Sequence, residues 1–485
     1  MSDSTKSSLQ VLDSAVGYRG YFTLAFGAIV GSGWVVVMGD WLKSAGPGGT
    51  TVGFLAGSLV MVLIALCYGE LAARFPTAGA EFLYTLQTFG PRAGFLVGWF
   101  ITLYAVSVCA FEGIACGWLI TTLFPAIRLG TAYRLAGADV SWNALLIGTV
   151  GALGIGTLHY LGARSAIFFQ NTVTFAFIAV SLLLILFGFA SGSSANIRPI
   201  FASGSGGDWI GGACWVFATC SFFLNGWQTS LHAIEERDSG ITPRGAILSV
   251  AAAIIASAAF YIGIVLAATR AVPWRSLIGR ELPAASAFGA LGFHGLLATV
   301  ILVAATVSLW KTWSAMTWVA SRVIYAQAKH GMIPATLGKI DSKTRAPRIA
   351  IALVTALTLI GIALGRGAIL PIVDMVSICL ALSMILCLAA LLRRRARDRY
   401  QPAFSVPGGT PMIVAALAGA VMMIGFALVR PLLAAHGRIP LEWILLAAWA
   451  ALGLILLIAM PRIRRLAPSL WCNGEQLKSI SQKPE

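Results

Sequence analysis

The stretch GAIVGSGW (Gly27–Trp34) places three glycines and a serine inside an otherwise apolar run. Each glycine inside a helix costs about 0.5–1 kcal/mol relative to alanine. A broken helix costs more in a bilayer, because hydrocarbon offers no partner for free backbone N–H and C=O groups. Such a break persists only where it lines a cavity or is buried in protein. The stretch therefore predicts either an unwound binding segment or a glycine-rich face that lets two intact helices approach closely.

The composition around this stretch predicts an integral membrane protein. Of the 485 residues, 58% are hydrophobic and 11% are charged, whereas soluble domains average about 45–50% apolar and about 25% charged residues. A helix needs about 20 apolar residues to cross a bilayer. Twelve apolar runs are candidates, with approximate limits 21–42, 51–72, 93–121, 143–159, 165–190, 209–234, 246–269, 290–325, 348–364, 368–392, 411–431 and 442–460. We therefore expect an all-α integral membrane protein with 12 transmembrane helices.

The spans leave no gap long enough for a separate soluble domain. We expect an N-terminal segment at 1–20, a single transmembrane domain at 21–460 and a tail at 461–485. The first 19 residues are polar, and no A-x-A-like site follows the first run. This pattern predicts that no cleavable signal peptide is present.

Lysine and arginine are distributed unevenly between the loops. With the N-terminus inside, 23 of the 34 lie in cytoplasmic segments, 10 lie in outer segments, and one, Lys311, lies within a span. This asymmetry is the positive-inside pattern and predicts that both termini are cytoplasmic. The net charge of +16 thus reflects topology and contact with the lipid bilayer, and it does not indicate nucleic-acid binding. We expect a multi-pass protein of the bacterial inner (plasma) membrane.

No recognisable catalytic or metal-binding motif occurs in the sequence. HExxH, Walker A and GxSxG patterns are absent, the eight cysteines form no CxxC pair, and the five histidines lack metal-ligand spacing. Seven of the cysteines fall within predicted spans, where a free thiol usually serves as a small apolar group. We therefore expect no enzyme activity, no cofactor, no metal and no disulfide.

Five segments, in order along the chain, resemble the amino acid–polyamine–organocation (APC) superfamily of permeases. They are GAIVGSGWVVVMGDWLKSAGPGG (27–49), CYGELAARFPTAGAEFLYTLQTFGPRAGFLVGW (67–99), HAIEERDSGITPRGAI (232–247), SRVIYAQAKHGMIPATLGKIDSKTRAPRIA (321–350) and FSVPGG (404–409). The resemblance implies a LeuT-like fold of two inverted five-helix repeats, followed by two peripheral helices. The repeats would span about 21–190 and 209–392, and the peripheral helices about 411–460.

The same resemblance implies a binding site between interrupted helices 1 and 6, with helices 3 and 8 closing its walls. Unwinding of helix 1 would offer backbone N–H groups to a carboxylate, and the break in helix 6 would fall within 220–228. The implied substrate-binding positions are Ile29, Gly31, Ser32, Gly33, Trp34, Ser221, Phe222, Phe223, Asn225 and Gly226, together with Glu112 of helix 3. Phe222 falls where the family often has an aromatic lid. Glu235 and Glu236, beside the inner end of helix 6, are interpreted as part of a gate or as a solvated loop.

Two ionisable residues lie deep within predicted spans, where charge is costly and usually functional. Lys311 lies eleven residues from Arg322, about 16 Å along a helix, so its amine must face a cavity or a counter-charge. Many family members carry a lysine in helix 5 whose amine replaces a sodium ion, but that position here is Ala176. Lys311 either supplies this coupling amine from helix 8 or forms a structural ion pair with Glu112. Glu112 is a proton carrier, a ligand for a substrate amine, or the partner of Lys311.

These patterns predict a secondary active transporter that moves an amino acid or a related small amine by alternating access, coupled by proton symport. The alternatives are an amine or organocation permease for ethanolamine- or choline-like substrates, and an amino acid antiporter. A permease-like nutrient sensor is the alternative from a different class. The glutamate in helix 3 favours a substrate with an extra cationic group or without a carboxylate, whereas the break in helix 1 favours a carboxylate.

Overall fold

The structure is a computed structural model of the 485-residue chain. It describes residues 17–31, 33–75, 79–135, 137–161, 163–202, 208–232, 240–292, 295–341, 343–344, 346–397, 400–434 and 439–466.

The described chain consists almost entirely of α-helices. They are α1 (Tyr18–Ile29), α2 (Gly33–Val36), α3 (Met38–Arg74), α4 (Ala80–Phe89), α5 (Pro91–Leu123), α6 (Trp142–Leu161), α7 (Ala163–Ser191), α8 (Trp209–Phe223), α9 (Gln228–His232), α10 (Pro243–Ala271), α11 (Pro283–Gly289), α12 (Leu296–Lys329), α13 (Arg348–Ile362), α14 (Ile369–Arg397), α15 (Gly409–Ala434) and α16 (Leu441–Leu466). Within the described residues, nine helices are long and apolar enough to cross a membrane, and α13 is a shorter apolar helix. The prediction of a helical, multi-pass membrane protein is therefore confirmed.

A small β-hairpin corrects the purely α-helical prediction. Strands β1 (Thr131–Leu135) and β2 (Ala138–Ser141) pair antiparallel in the loop between α5 and α6. Gly137 provides the left-handed conformation of the turn, with φ 77°. The Tyr133 hydroxyl donates a hydrogen bond to the carbonyl oxygen of Ala363, just after α13. The hairpin is thus tethered to a neighbouring loop instead of forming a free connection.

The first predicted span is divided into several helical pieces. Helix α1 ends at Ile29, Val30 and Gly31 are not helical, and α2 begins at Gly33. A second division occurs inside α3 at Gly46, which has φ 69° and ψ 176°. A Cβ at Gly46 would lie 2.6 Å from the backbone nitrogen of Ala202, so both the left-handed conformation and the close backbone approach require glycine here. The chain therefore turns at Gly46 between the first and second predicted spans.

The sixth predicted span is also interrupted. Asp208 caps α8 by accepting hydrogen bonds from the N–H groups of Ile210 and Gly211. Helix α8 ends at Phe223, and α9 resumes at Gln228. Between them Gly226 adopts φ 104°, and a Cβ there would lie 2.7 Å from the carbonyl oxygen of Ala28 in α1. The two interruptions therefore contact each other.

Burial distinguishes the central helices from the peripheral ones. In the most apolar 18-residue window of α5, 89% of the residues are buried, against 11% in that of α16. Helix α5 packs along α12, and α3 packs along α8. Helix α16 contacts the core through Trp449, whose ring stacks on Trp99 of α5 at a centroid distance of 4.3 Å. Helices α5 and α12 thus form the interior wall beside the interrupted helices.

A buried ionic network ties together three segments at one end of the bundle. The Glu70 carboxylate at the end of α3 has no solvent exposure and forms ion pairs with Arg74, at 2.9 Å, and with Arg395 of α14. It also accepts a 2.8 Å hydrogen bond from the backbone N–H of Val406, which precedes α15. Because every Glu70 oxygen has a charged or N–H donor, the buried carboxylate is well compensated.

Candidate functional site

A cavity lies where the two interrupted helices meet. Its described lining comes from α1, α2, α5, α8, α10 and α12 and from the segments at the two breaks, and consists of Ala28, Ile29, Gly31, Gly33, Tyr104, Val108, Phe111, Glu112, Phe222, Phe223, Asn225, Tyr261, Thr312 and Met316. The cavity is small, with room for about one or two water molecules. A larger molecule would therefore fit only if the surrounding side chains or half-helices moved.

Carbonyl oxygens at the end of α1 are held by polar side chains of α12. The Lys311 amine donates to the carbonyl oxygens of Gly27, at 2.7 Å, and Val30. The Ser308 hydroxyl donates to the Val30 carbonyl oxygen at 2.9 Å. These carbonyls carry the negative end of the helix dipole, so a cation is favoured there. Lys311 is fully buried, and its amine occupies the position that these carbonyls favour for a cation.

Glu112 of α5 lies against the break in the first helix. Its carboxylate lines the cavity, and its residue is 2% exposed. A Cβ placed on Gly31 would collide with the Glu112 carboxylate and would lie 3.4 Å from the Thr312 hydroxyl. Lys311 lies close enough for its charge to interact with that of Glu112. Only a glycine at position 31 lets the carboxylate approach the backbone this closely.

Aromatic rings cover the other side of the cavity. Phe222 and Phe223 are adjacent at the end of α8, with ring centroids 4.9 Å apart, and Phe111 of α5 lies 5.5 Å from Phe222. Tyr261 of α10 packs 6.1 Å from Phe223. The Phe223 ring occupies the space that a Cβ on Gly33 would need. The Phe223 ring therefore packs directly against the glycine-rich break.

A polar turn follows α8 at the second break. The Gln228 side chain donates through Nε2 to Asn225 Oδ1, and the Gly226 N–H donates to Gln228 Oε1 at 3.1 Å. Asn225 is 2% exposed, and its side-chain amide lies in hydrogen-bond contact with the Tyr104 side chain. Asn225 therefore brings a buried donor to the edge of the cavity.

Seven of the predicted site residues are brought together in the cavity lining, namely Ile29, Gly31, Gly33, Glu112, Phe222, Phe223 and Asn225. Four others lie outside the lining, and one of them is Lys311, whose amine binds the carbonyl oxygens of Gly27 and Val30. Trp34 is fully buried and packs on Phe260, at a ring distance of 5.6 Å. Ser221 donates to the Ala218 carbonyl oxygen within its own helix at 2.8 Å, and Gly226 contacts α1. Ser32, Glu235 and Glu236 lie outside the described residues.

Further lining residues were not anticipated from the sequence. On α5, Val108 and Tyr104 lie four and eight positions before Glu112, so they share its helix face. On α12, Thr312 and Met316 are likewise four positions apart. Their spacing from Glu112 explains in retrospect why these two α5 residues reach the cavity. Tyr261 of α10 has no such marker, because nothing in the sequence places that helix beside the break.

Metal-ligating side chains are not gathered around the cavity or elsewhere in the described segments. No group of three or more His, Cys, Asp or Glu residues lies close enough there to hold a metal ion. The polar groups of the site are instead a carboxylate, an amine bound to carbonyl oxygens, hydroxyls and an amide. Such groups suit the binding of a small polar molecule.

Comparison with known proteins identifies the class. Residues 16–456 match the amino acid permease family. Among similar proteins is the branched-chain amino acid permease BcaP of Bacillus subtilis, 24% identical over 401 residues that cover 79% of this chain and 82% of the relative. The methylthioribose transporter of the same organism is 24% identical over 395 residues, with the same coverage. The chloroplastic cationic amino acid transporter 9 of Arabidopsis thaliana is 28% identical over 343 residues, which are 68% of this chain and 58% of the relative.

The apolar helices and these relatives define the class as a membrane permease and not an enzyme. The chain belongs to the amino acid permease family. The resemblance to APC superfamily permeases that the five sequence segments indicated is thereby confirmed.

Proposed function

We propose that the protein is a secondary active transporter that moves an amino acid or a related small amine by alternating access. The observation that carries this proposal is the meeting of the α1–α2 and α8–α9 interruptions at a buried cavity lined by Glu112. Interrupted helices at membrane depth are the usual location of substrate and ion sites in secondary transporters. Family membership supports the same assignment.

The proposed architecture has 12 spans in two inverted five-helix repeats of the LeuT-like kind, with two peripheral helices. The interrupted spans are the first and the sixth of the predicted runs, five positions apart, as two five-helix repeats require. Each candidate repeat also contains a short helix outside the predicted spans, α4 in one and α11 in the other. We place both termini in the cytoplasm, because lysine and arginine are concentrated in the loops on the same side as the termini. We propose the bacterial inner membrane as the location of the protein.

Proton symport is the proposed coupling, and Lys311 is its proposed centre. A protonated lysine donates up to three hydrogen bonds, and Lys311 directs donors to the carbonyl oxygens of Gly27 and Val30. The charged amine would hold α1 against α12, and loss of its proton would weaken this contact. Protonation of Lys311 would therefore bias the position of α1. Because α1 also lines the cavity, the proton and the substrate would be coupled. Glu112 is the second coupling candidate, since it lies between this contact and the cavity.

The proposed gate consists of Phe222, Glu235 and Glu236. Phe222 would act as the aromatic lid, because it is the half-buried member of the pair at the end of α8 and lines the cavity. Glu235 and Glu236 follow α9 in the sequence, and we propose that they belong to an inner gate. The relatives' names include branched-chain amino acids, cationic amino acids and methylthioribose, so they support a small polar substrate without selecting one.

Purified protein in liposomes provides the test. Uptake of radiolabelled amino acids and amines should rise when the external pH is lower than the internal pH. Lys311→Ala should abolish gradient-driven accumulation while leaving expression intact, and Lys329→Ala, on the exposed end of the same helix, should accumulate substrate normally. If the uptake of every compound is independent of the pH gradient, proton symport is refuted.

A further inference from the structure

We propose that Gln170 of α7 is an alternative hydrogen-bond donor for the Gly27 carbonyl of α1, and that it binds this carbonyl when the Lys311 amine releases it. Helix α1 then has two hydrogen-bonded positions, one held from α12 and one held from α7. This inference rests on the proposed coupling role of Lys311 and adds Gln170 to it as a positioning residue.

Gly27 is contacted from two neighbouring helices. From α12, the Lys311 amine donates to the Gly27 carbonyl oxygen at 2.7 Å. From α7, Gln170 Nε2 lies 2.9 Å and the Thr174 hydroxyl 2.5 Å from the place that a Cβ on Gly27 would occupy. Only glycine lets both α7 side chains lie so close to the backbone of α1. The Gln170 amide therefore lies beside the residue whose carbonyl now binds Lys311.

The Gln170 amide lacks an acceptor. Gln170 is 4% exposed, and its Nε2 has no hydrogen-bond partner in the described part of the chain. The neighbouring Gly27 carbonyl oxygen has two lone pairs, and it already accepts from Lys311 and, at 3.4 Å, from the Thr312 hydroxyl. A buried donor without an acceptor is costly. A conformation that brings the Gly27 carbonyl to this amide would remove that cost.

One face of α7 meets both partners of this hydrogen bond. Gln170, Thr174 and Phe177 are four and three positions apart, so they share one face of the helix. The centroid of the Phe177 ring lies 5.2 Å from the Lys311 amine nitrogen. The face of α7 that contacts Gly27 thus also borders the amine. A movement of α1 away from α12 would be received by this same face.

Helix α1 has a separate attachment to α7. The Thr23 hydroxyl of α1 lies within hydrogen-bond distance, 3.1 Å, of Asn171 Oδ1. Thr23 is four positions before Gly27, which is about one helical turn. This contact does not involve Lys311. It would therefore hold the start of α1 against α7 while the end of the helix changes its donor.

The charge of Lys311 decides which donor prevails. From α5, the Glu112 charge acts on the amine, and from α6, His159 hydrogen-bonds Ser314, three positions along α12. A protonated amine forms hydrogen bonds about twice as strong as those of neutral groups. Protonated Lys311 therefore outcompetes the neutral Gln170 amide. After deprotonation both donors are neutral, and the amide that lacks an acceptor gains more from the carbonyl.

The exchange of donors reaches the cavity through α1. Ala28, Ile29 and Gly31 follow Gly27 closely in the chain and line the cavity. A shift of Gly27 between α12 and α7 would displace this wall. Coupling requires an element with two defined positions that protonation biases. Gln170 provides the deprotonated state with a hydrogen bond of its own, so that α1 has a defined position in both states.

A double-mutant cycle on the full chain in detergent tests the inference. Gln170→Met keeps an unbranched side chain of similar length and removes the donor. Because the amide makes no hydrogen bond while Lys311 holds the carbonyl, this change alone should lower the thermal unfolding midpoint by less than about 1 °C. In the Lys311→Met background it should lower the midpoint by at least about 2 °C, since the amide has then bound the carbonyl. Additive effects would overturn the inference.

The pH dependence of the same measurement separates positioning from a structural role. With Lys311 present, the cost of Gln170→Met should increase as the pH rises, because deprotonation passes the carbonyl to Gln170. In the Lys311→Met background this cost should not depend on pH. Gln327→Met is the matched control, since Gln327 is a buried glutamine of α12 that donates to Thr102 at 3.2 Å. Its cost should be equal in both backgrounds and at every pH. If the cost of Gln170→Met is also constant with pH when Lys311 is present, selection by protonation is refuted.

These measurements need no substrate, so they are independent of the transport assay. An additive cycle would refute the exchange of donors and leave the proposed transport function intact. A non-additive cycle in a protein without proton-driven uptake would support the exchange of donors and refute the proposed symport.

Discussion

The Lys311 amine binds the carbonyl oxygens of Gly27 and Val30 at the end of α1. From the sequence, a lysine in mid-span required either a cavity or a counter-charge. The structure supplies backbone dipoles in addition to the nearby Glu112 charge. Backbone carbonyls at a helix end have no sequence signal of their own, apart from the glycines that permit the break. The carbonyl partners of Lys311 could therefore not be predicted from the side chains in the sequence.

Removing the lysine side chain should destabilise the protein. Lys311→Met deletes the amine but retains most of the apolar volume, which leaves the Gly27 carbonyl without its 2.7 Å donor. The Gly27 carbonyl then keeps only a 3.4 Å hydrogen bond from the Thr312 hydroxyl, and the Val30 carbonyl keeps the Ser308 hydroxyl. Loss of the amine's hydrogen bonds should lower the free energy of unfolding by about 1–3 kcal/mol. The thermal unfolding midpoint in detergent measures the effect. Lys329→Met is the control, and a Lys311→Met midpoint equal to that of the control would contradict the buried contact.

The glycine at position 31 is required by the approach of Glu112. Gly31→Ala should reduce transport at least about tenfold, because the added methyl group would collide with the carboxylate and force it away from the break. Gly154→Ala on α6 is the matched control, since no atom lies within 4 Å of a Cβ there. Uptake should be unchanged in the control, and wild-type uptake by Gly31→Ala would show that the carboxylate is not held against this backbone.

At the scale of elements, the break in the first span could be predicted and several short elements could not. Three glycines within a membrane-spanning run indicated either a break or a close approach of two helices, and the family resemblance favoured the break. Helices α4 and α11 and the β-hairpin lie in the connections between the predicted spans, where short elements are set by tertiary contacts. The Tyr133 contact with Ala363 is one such contact.

The cap of α8 should matter for the interrupted span. Asp208 accepts hydrogen bonds from the N–H groups of Ile210, at 3.0 Å, and Gly211, at 3.4 Å. Asp208→Ala should lower the free energy of unfolding by about 1 kcal/mol, as is typical of helix N-caps. Thermal unfolding measures this loss. Asp208→Asn should recover most of it, since asparagine caps equally well, and failure of asparagine to do so would argue against the cap.

At the scale of the whole molecule, the sequence predicted the order of the helices better than it predicted which helices pack against one another. Apolar runs reveal spans, but α5 is apolar nearly all round, so its pattern does not tell which face meets α12. Glu112 marks one face of α5, and this single charge located Val108 and Tyr104 only in retrospect. The residues of α10 in the cavity depend on long-range packing, for which a single sequence carries no signal.

The Glu70 network should stabilise the assembled bundle. Glu70→Gln removes the buried negative charge and leaves Arg395 and Arg74 without their carboxylate partner. Breaking a buried ion pair in this way typically costs about 3–5 kcal/mol. Arg397→Gln, near the exposed end of α14, is the control for loss of a charge. In a double-mutant cycle, Arg395→Met should cost much less in the Glu70→Met background than alone, and additive effects would refute the coupling.

The small volume of the cavity has a consequence for binding measurements. Because it holds about one or two water molecules, a molecule with several heavy atoms would enter only if the Phe222 and Phe223 rings moved away from the half-helices. The measured dissociation constant then includes the work of opening, and every 1.4 kcal/mol of that work weakens the apparent affinity about tenfold. The residence time of a bound molecule would depend on the rate at which the packed aromatic rings separate. Substitutions that loosen those rings would therefore accelerate exchange even where no contact with the bound molecule is lost.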